Sequence, residues 1–197
     1  MPEVVIIASG GANIASLQYA LQRLGATSSV SAVSDRIRNA SHVILPGVGA
    51  AADAMSRLRR DNLDALIPSL QQPVLGICLG MQLLLEESDE GRARCLGIIP
   101  GRATRFAAAA DRPVPHMGWN TLNSLRPSAL LQGVSEGDYA YFVHSYALTL
   151  GAATIASSDY GSPFSACIQS GNFYGAQFHP ERSSRVGALL LQNFLNL

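Results

Sequence analysis

The chain has 197 residues, enough to close a proper hydrophobic core. It is 48% apolar and only 14% charged, which excludes a disordered chain, and fourteen arginines balance fourteen acidic residues, which excludes a general polyanion binder. No run of eighteen apolar residues marks a membrane span, and the three cysteines, at 78, 95 and 167, form no CxxC and no paired framework. A cytoplasmic chain with free thiols is the natural expectation. The chain opens on EVVIIA, with no basic segment or cleavage site of a signal peptide, and residues 3–8 are expected to form a buried strand. Over 13–24, Ile14, Leu17, Ala20, Leu21 and Leu24 fall on one helical face, with Asn13 as N-cap and Gly25 as stop. SSVSAV and HVILP follow as strands, and 50–67 as an amphipathic helical stretch with its arginines outward. PVLGIC is a fourth strand and LGMQLLLEE the helix after it. Strands alternating with helices over this half imply a parallel sheet covered on both faces. In the second half, YAYFV, AATIA, FSACIQ and FYGAQF are shorter apolar runs, the last two joined by SGN as a tight hairpin, so part of this half is antiparallel. A closing helix spans 186–197. The expected fold is an α/β three-layer sandwich, with a mostly parallel central sheet and a partly antiparallel second half, as one domain over 1–197.

Cys78 falls in GICLGM, where a strand ends and a helix begins. Sites form there in open α/β sheets, a helix N-terminus favours a thiolate, and the Leu79 N–H is exposed beside the sulfur in the manner of a nucleophile elbow. From this stretch alone a buried filler and a nucleophile stand level. Cys95 and Cys167 have no such setting. A cysteine nucleophile needs a base, and the chain has four histidines. His42 opens a core strand, His116 lies in PVPHMGWN as a loop residue, and His144 ends a strand. His179, followed by Pro180 and Glu181, is different. In an extended segment the imidazole and the carboxylate two residues on share a side, so Glu181 can orient His179. LPGVGAA at 45–51 places two glycines just past a strand, either as an ordinary turn or as backbone N–H groups for developing negative charge. It is no phosphate-binding loop, and neither a metal site nor a cofactor is expected.

GICLGMQLL together with QFHPE resembles the class I, triad-type glutamine amidotransferases. LPGVGAAADAM, PHMGWN, YFVHSY and GNFYGAQFHPERS, in this order and across nearly the whole chain, narrow the likeness to the branch that works beside a cyclase in histidine biosynthesis. The resemblance implies Cys78 as nucleophile toward the side-chain amide of glutamine, His179 as base and then acid, and Glu181 as its orienter. It implies an oxyanion hole from the Leu79 N–H and a backbone N–H of the Gly47–Val48–Gly49 segment, with Val48 and Gly49 as the donors. Gln82, Ser145 and Tyr146 match positions of the glutamine pocket. Asn13, Trp119 and Asn120 match interface positions, although core packing stays open for Trp119, the single tryptophan. The implied partner is a cyclase subunit of (β/α)8 barrel fold in a 1:1 heterodimer that receives ammonia. Another synthase or a γ-glutamyl hydrolase is the alternative, and a non-catalytic regulatory module a second. The chain departs from the family pattern at Ala8 and Ser9, where aspartate and tyrosine are common, at Ala12 and at Ala51.

Overall fold

A computed structural model describes residues 3–9 and 14–197. The chain runs β1 (Glu3–Ile7), α1 (Ile14–Arg23), β2 (Thr27–Ser31), α2 (Ser34–Asn39), β3 (His42–Leu45), α3 (Ala51–Arg60), α4 (Leu63–Leu66), β4 (Val74–Ile77) and α5 (Leu79–Leu83). It continues through β5 (Leu85–Ser88), β6 (Ala93–Arg94), β7 (Ile99–Arg105), β8 (His116–Thr121), β9 (Tyr139–His144), β10 (Tyr146–Leu148), β11 (Thr154–Asp159), β12 (Pro163–Ser170), β13 (Phe173–Ala176) and α6 (Ser184–Leu195). The main sheet has seven strands in the order β11-β12-β13-β4-β3-β1-β2. From β2 to β13 the neighbours are parallel, and β12 and β11 extend the sheet antiparallel. A smaller sheet, β10-β7-β5-β6, and a ribbon of β8 and β9 flank it.

The period of two in β1 divides the core. Val4 and Ile6 enter one cluster with Leu17 and Leu21 of α1 and Leu190 and Phe194 of α6, while Val5 and Ile7 enter another with Met55 and Leu58 of α3 and Leu85 and Ile99 of the small sheet. Both faces of the sheet are therefore covered, and its central strands are buried but for Glu3 at the start of β1. Among the described residues no helix is long and apolar enough to cross a membrane.

Several expectations need correction. The helical stretch at 50–67 is broken at Asn62, which sits at φ 57°, and Arg57 does not point outward but donates from Nε to the Ser9 carbonyl at 2.6 Å. The helix after Cys78 stops at Leu83, and the LEE that follows lies in β5, paired with β7. Leu83, Leu84 and Leu85 are each fully buried. The Leu83 and Leu84 carbonyls instead accept N–H groups from residues 96, 98 and 99. PHMGWN is not a loop: His116 begins β8, whose six residues pair with β9 from His116 opposite His144 to Thr121 opposite Tyr139. The Asn13 cap and interface expectation, and the departure at Ala12, lie outside the described residues.

Candidate active site

Cys78 follows β4 at φ 54° and ψ −112°, a conformation that costs a residue with a Cβ and recurs at nucleophile elbows. Its N–H donates to the Ala176 carbonyl at 2.8 Å, and its own carbonyl accepts from Met81 and Gln82 as α5 begins. The turn closes this tightly only because residue 80 has no side chain. A Cβ there would stand 1.8 Å from the Leu45 carbonyl oxygen, and one on Gly76 would stand 2.6 Å from the Gly80 oxygen. The thiol is 3.6 Å from the Val143 carbonyl and receives the Gln177 Nε2–H at 3.8 Å.

His179 reaches Cys78 through strand pairing. β13 lies parallel to β4 with Ala176 opposite Ile77, so the chain past Ala176 runs on beside the cysteine. The His179 N–H donates to the Tyr141 carbonyl at 3.0 Å, and its carbonyl accepts from the Ser183 hydroxyl at 2.7 Å. The expectation of an extended HPE segment holds only for His179. Pro180–Arg182 form a 3-10 turn, with proline at a position where no N–H is required. The turn still brings the Glu181 carboxylate within 2.9 Å of His179 Nδ1. Burial acts to lower the His179 pKa, but the hydrogen bonds and charges of Cys78 and Glu181 outweigh it and raise it to about 10. The imidazole is thereby held protonated, with the sulfur on one side and a carboxylate that is itself buried on the other. Oε2 of Glu181 has no partner among the described residues.

Cys78 and His179 open onto a cleft of about 240 Å³. Leu79, Gln82, Val48, Gly49, Ser145 and Tyr146 line it, so the structure gathers the expected oxyanion and pocket residues in one place. Leu79 heads α5, and the Pro46–Gly49 loop packs against it. Among the described residues the N–H groups of Leu79, Val48 and Gly49 carry no acceptor, and Gly49 adopts φ +87°, open to residues without a Cβ. Trp119 and Asn120 stand apart from the cleft on β8. Trp119 is 53% exposed, with its ring edge-on to Tyr141, which settles it outside the core.

The chain as a whole is similar to known proteins. A match to the glutamine amidotransferase class-I family spans residues 5–197. The chain belongs to the class I glutamine amidotransferases. It is 52% identical over its whole length to the imidazole glycerol phosphate synthase subunit HisH of Xylella fastidiosa strain Temecula1, covering 98% of that protein. It is 51% identical, with the same coverage, to the HisH subunit of Xanthomonas oryzae pv. oryzae strain MAFF 311018. In three dimensions it is similar to the structure of PurLQS from Thermotoga maritima, with a TM-score of 0.74 over 99% of this chain and 98% of that one at 18% identity, a likeness of fold.

Sequence reasoning passed over three groups in this amidotransferase site. Glu90 lines the cleft, accepting the Ala51 N–H on Oε2 at 3.1 Å; burial, with the charge of Asp53, raises its pKa against that hydrogen bond. No local signal marks it, because a turn brings it back from beyond β5. Gln177, buried completely, could have been found: it shares the side of His179 two residues on, and an amide in so apolar a strand needs a partner. The third is the pair His116 and His144, in contact through Nδ1 and Nε2 at 3.1 Å. Of the departures, Ser9 donates to the Pro46 carbonyl at 2.7 Å, at the base of the loop that lines the cleft, and Ala51 is buried at the head of α3.

Proposed function

We propose that this chain is the glutaminase subunit of imidazole glycerol phosphate synthase, a single cytoplasmic domain that pairs 1:1 with a cyclase subunit of (β/α)8 fold. One observation carries the chemistry: a cysteine on a strained elbow shares a cleft with a histidine held protonated by a buried carboxylate at 2.9 Å. Identity of about half the residues with the HisH subunits supports the choice of synthase.

Glutamine enters the cleft with its carboxamide over Cys78. Glu90, at the cleft wall, offers a carboxylate to the α-ammonium group. Cys78 reacts as the thiolate, its proton resting on His179; the sulfur attacks the amide carbon and the carbonyl electrons move onto oxygen. The Leu79 N–H and a donor from Val48 or Gly49 meet that oxyanion, where losing one donor costs roughly a hundredfold in rate. His179 passes its proton to the departing nitrogen, and ammonia leaves as the thioester forms. A water then gives its proton to His179 and attacks the thioester carbon, and the second tetrahedral species expels the sulfur to release glutamate. Glu181 keeps the imidazole oriented through both steps.

Free ammonia is mostly protonated near neutral pH and is then no nucleophile, so delivery inside a closed complex is chemically favoured. The exposed face of the β8–β9 ribbon, with Met117, Trp119 and Tyr139, supplies an aromatic docking surface suited to such a partner. The cyclase would use the ammonia to convert phosphoribulosyl-formimino-AICAR phosphate to imidazole glycerol phosphate and AICAR ribonucleotide. The test is product formation by the chain mixed with that cyclase and its acceptor. Cys78→Ala should abolish turnover driven by glutamine and leave turnover driven by ammonia intact. Loss of both together would make Cys78 structural, and rapid glutamine or γ-glutamyl hydrolysis without a partner would overturn the coupled reading.

A further inference from the structure

Met117 and Trp119 alternate with His116, Gly118 and Asn120 along β8, so the ribbon has an exposed face and an inner face. The inner face carries polar groups that the glutaminase chemistry leaves unused. His116 is 3% exposed, stacked between Tyr160 at 4.1 Å and Phe142 at 5.1 Å. We infer that Asn120, His116 and His144 form a positioning relay that sets the Tyr146 carbonyl and, through Gln82 and Gln177, the Cys78 sulfur. The relay's effect on turnover rests on the function proposed above; its contacts do not.

The hydrogen bonds run in one direction. The Tyr146 carbonyl can only accept, so the His144 nitrogen 2.8 Å from it, Nδ1, must carry the proton. In a neutral ring Nε2 is then an acceptor, and His116 Nδ1, 3.1 Å away, is its donor. His116 Nε2 is left to accept, and it faces the Asn120 amide Nδ2 at 3.4 Å. Asn120 is oriented independently: Nδ2 donates to the Asp159 carbonyl at 2.7 Å and Oδ1 accepts the Thr121 N–H at 2.8 Å. A proton added to His144 would set donor against donor at His116. Burial agrees with two neutral rings, since it lowers the His116 pKa to about 4 and is the chief cause of a His144 value of about 3.

Beyond His144 the chain of contacts enters the cleft. The Tyr146 carbonyl accepts a second bond from Gln82 Nε2 at 2.8 Å, so both of its lone pairs are engaged. The other Nε2 proton of Gln82 goes to Gln177 Oε1 at 3.0 Å, and that orients the Gln177 amide whose Nε2 meets the sulfur. Each link is buried or half-buried, so a missing donor is not replaced by bulk water. The outer side of the same ribbon carries Trp119. A movement of β8 therefore reaches the glutamine pocket and the thiol through five side chains.

The test compares His116→Phe, which keeps a stacked ring and loses the donor, with His116→Asn, which loses the ring and keeps an N–H near the Nδ1 position. Both are assayed with saturating cyclase, and Cys78 alkylation by iodoacetamide is followed by peptide mass in the free chain. In His116→Phe, kcat/KM for glutamine should fall about tenfold, the size of one lost buried hydrogen bond, while His116→Asn stays within about threefold of wild type. Ammonia-driven turnover should be unchanged in both, and the alkylation rate of Cys78 should change only in His116→Phe. Equal losses in the two variants would make the ring a packing element, and a wild-type kcat/KM in His116→Phe would also overturn the relay. If His116→Phe does not fold, Asn120→Ala cuts the relay at its half-buried end: about a threefold loss is expected, and none overturns it. Should the wild-type complex hydrolyse no glutamine, the functional reading falls, and alkylation alone decides: equal rates in wild type and the severed variant refute the relay.

Discussion

Acid should destabilise this protein through His116 and His144, and by a predictable amount. Both rings fold neutral, with pKa values lowered to about 4 and about 3. In the unfolded chain each returns to about 6.5, so below that pH the unfolded state binds more protons. Neither ring penalises folding well above pH 6.5. The penalty grows as pH falls from 6.5 toward the folded values and then levels off. Between pH 7 and pH 5 it amounts to about 1.9 kcal/mol per ring, or about 4 kcal/mol for the pair. His179 runs the other way, since its folded pKa is raised, and it cancels when wild type is compared with a variant. His116→Asn deletes one titrating ring and keeps a donor toward His144. Urea unfolding at the two pH values measures the difference. The loss of stability on going from pH 7 to pH 5 should be smaller in the variant by about 2 kcal/mol. A loss as large as that of wild type would mean that His116 is protonated in the folded state, and the one-directional hydrogen-bond assignment would be wrong.

Three further outcomes follow from individual contacts. Glu181→Gln removes the charge that holds His179 protonated, and glutamine-driven kcat in the complex should fall about a hundredfold or more while ammonia-driven turnover stays unchanged. Gly80→Ala drives a Cβ to 1.8 Å from the Leu45 oxygen, and thermal unfolding should show a loss above about 3 kcal/mol or no soluble chain. Ser9→Ala leaves the buried Pro46 carbonyl without its hydroxyl donor; urea unfolding should report about 1–2 kcal/mol, and glutaminase activity should fall because the cleft loop loses its anchor.

The parallel half was legible because its signals are local. Apolar runs bounded by glycine and proline mark β1, β3 and β4, and Gly25, at φ +78°, ends α1 as its position predicts. The triad candidates were legible for a related reason: cysteine stands two residues from glycine on either side, and histidine and glutamate flank a proline. What escaped depends on pairing between distant segments. LLLEE has good helix formers, yet the N–H groups of residues 96–99 take the carbonyls and draw it into β5. PHMGWN, with proline and glycine nearby, has the composition of a loop. It becomes β8 because β9 supplies a partner along its whole length, and that partner also puts His116 beside His144. No spacing rule connects residues 28 apart in separate strands.

The distribution of anchors around the cleft bears on control of the thiol. Cys78 is tied to Ala176, His179 to Tyr141 and Glu181, and the Tyr146 carbonyl to both His144 and Gln82. These bonds hold a backbone conformation at Cys78 that the chain would otherwise avoid, so the proposed nucleophile, base and pocket are set in place together. Gly47, Val48 and Gly49 differ. Among the described residues none of them has a backbone hydrogen-bond partner, although Ser9 fixes Pro46 before them and the Glu90 carboxylate fixes Ala51 after them. A segment pinned at both ends and free in the middle can turn a peptide unit at small cost, and Gly49 removes the steric barrier to doing so. The wall proposed to supply an oxyanion donor thus carries no backbone hydrogen bond among the described residues, and a docked partner that alters turnover has its easiest purchase there.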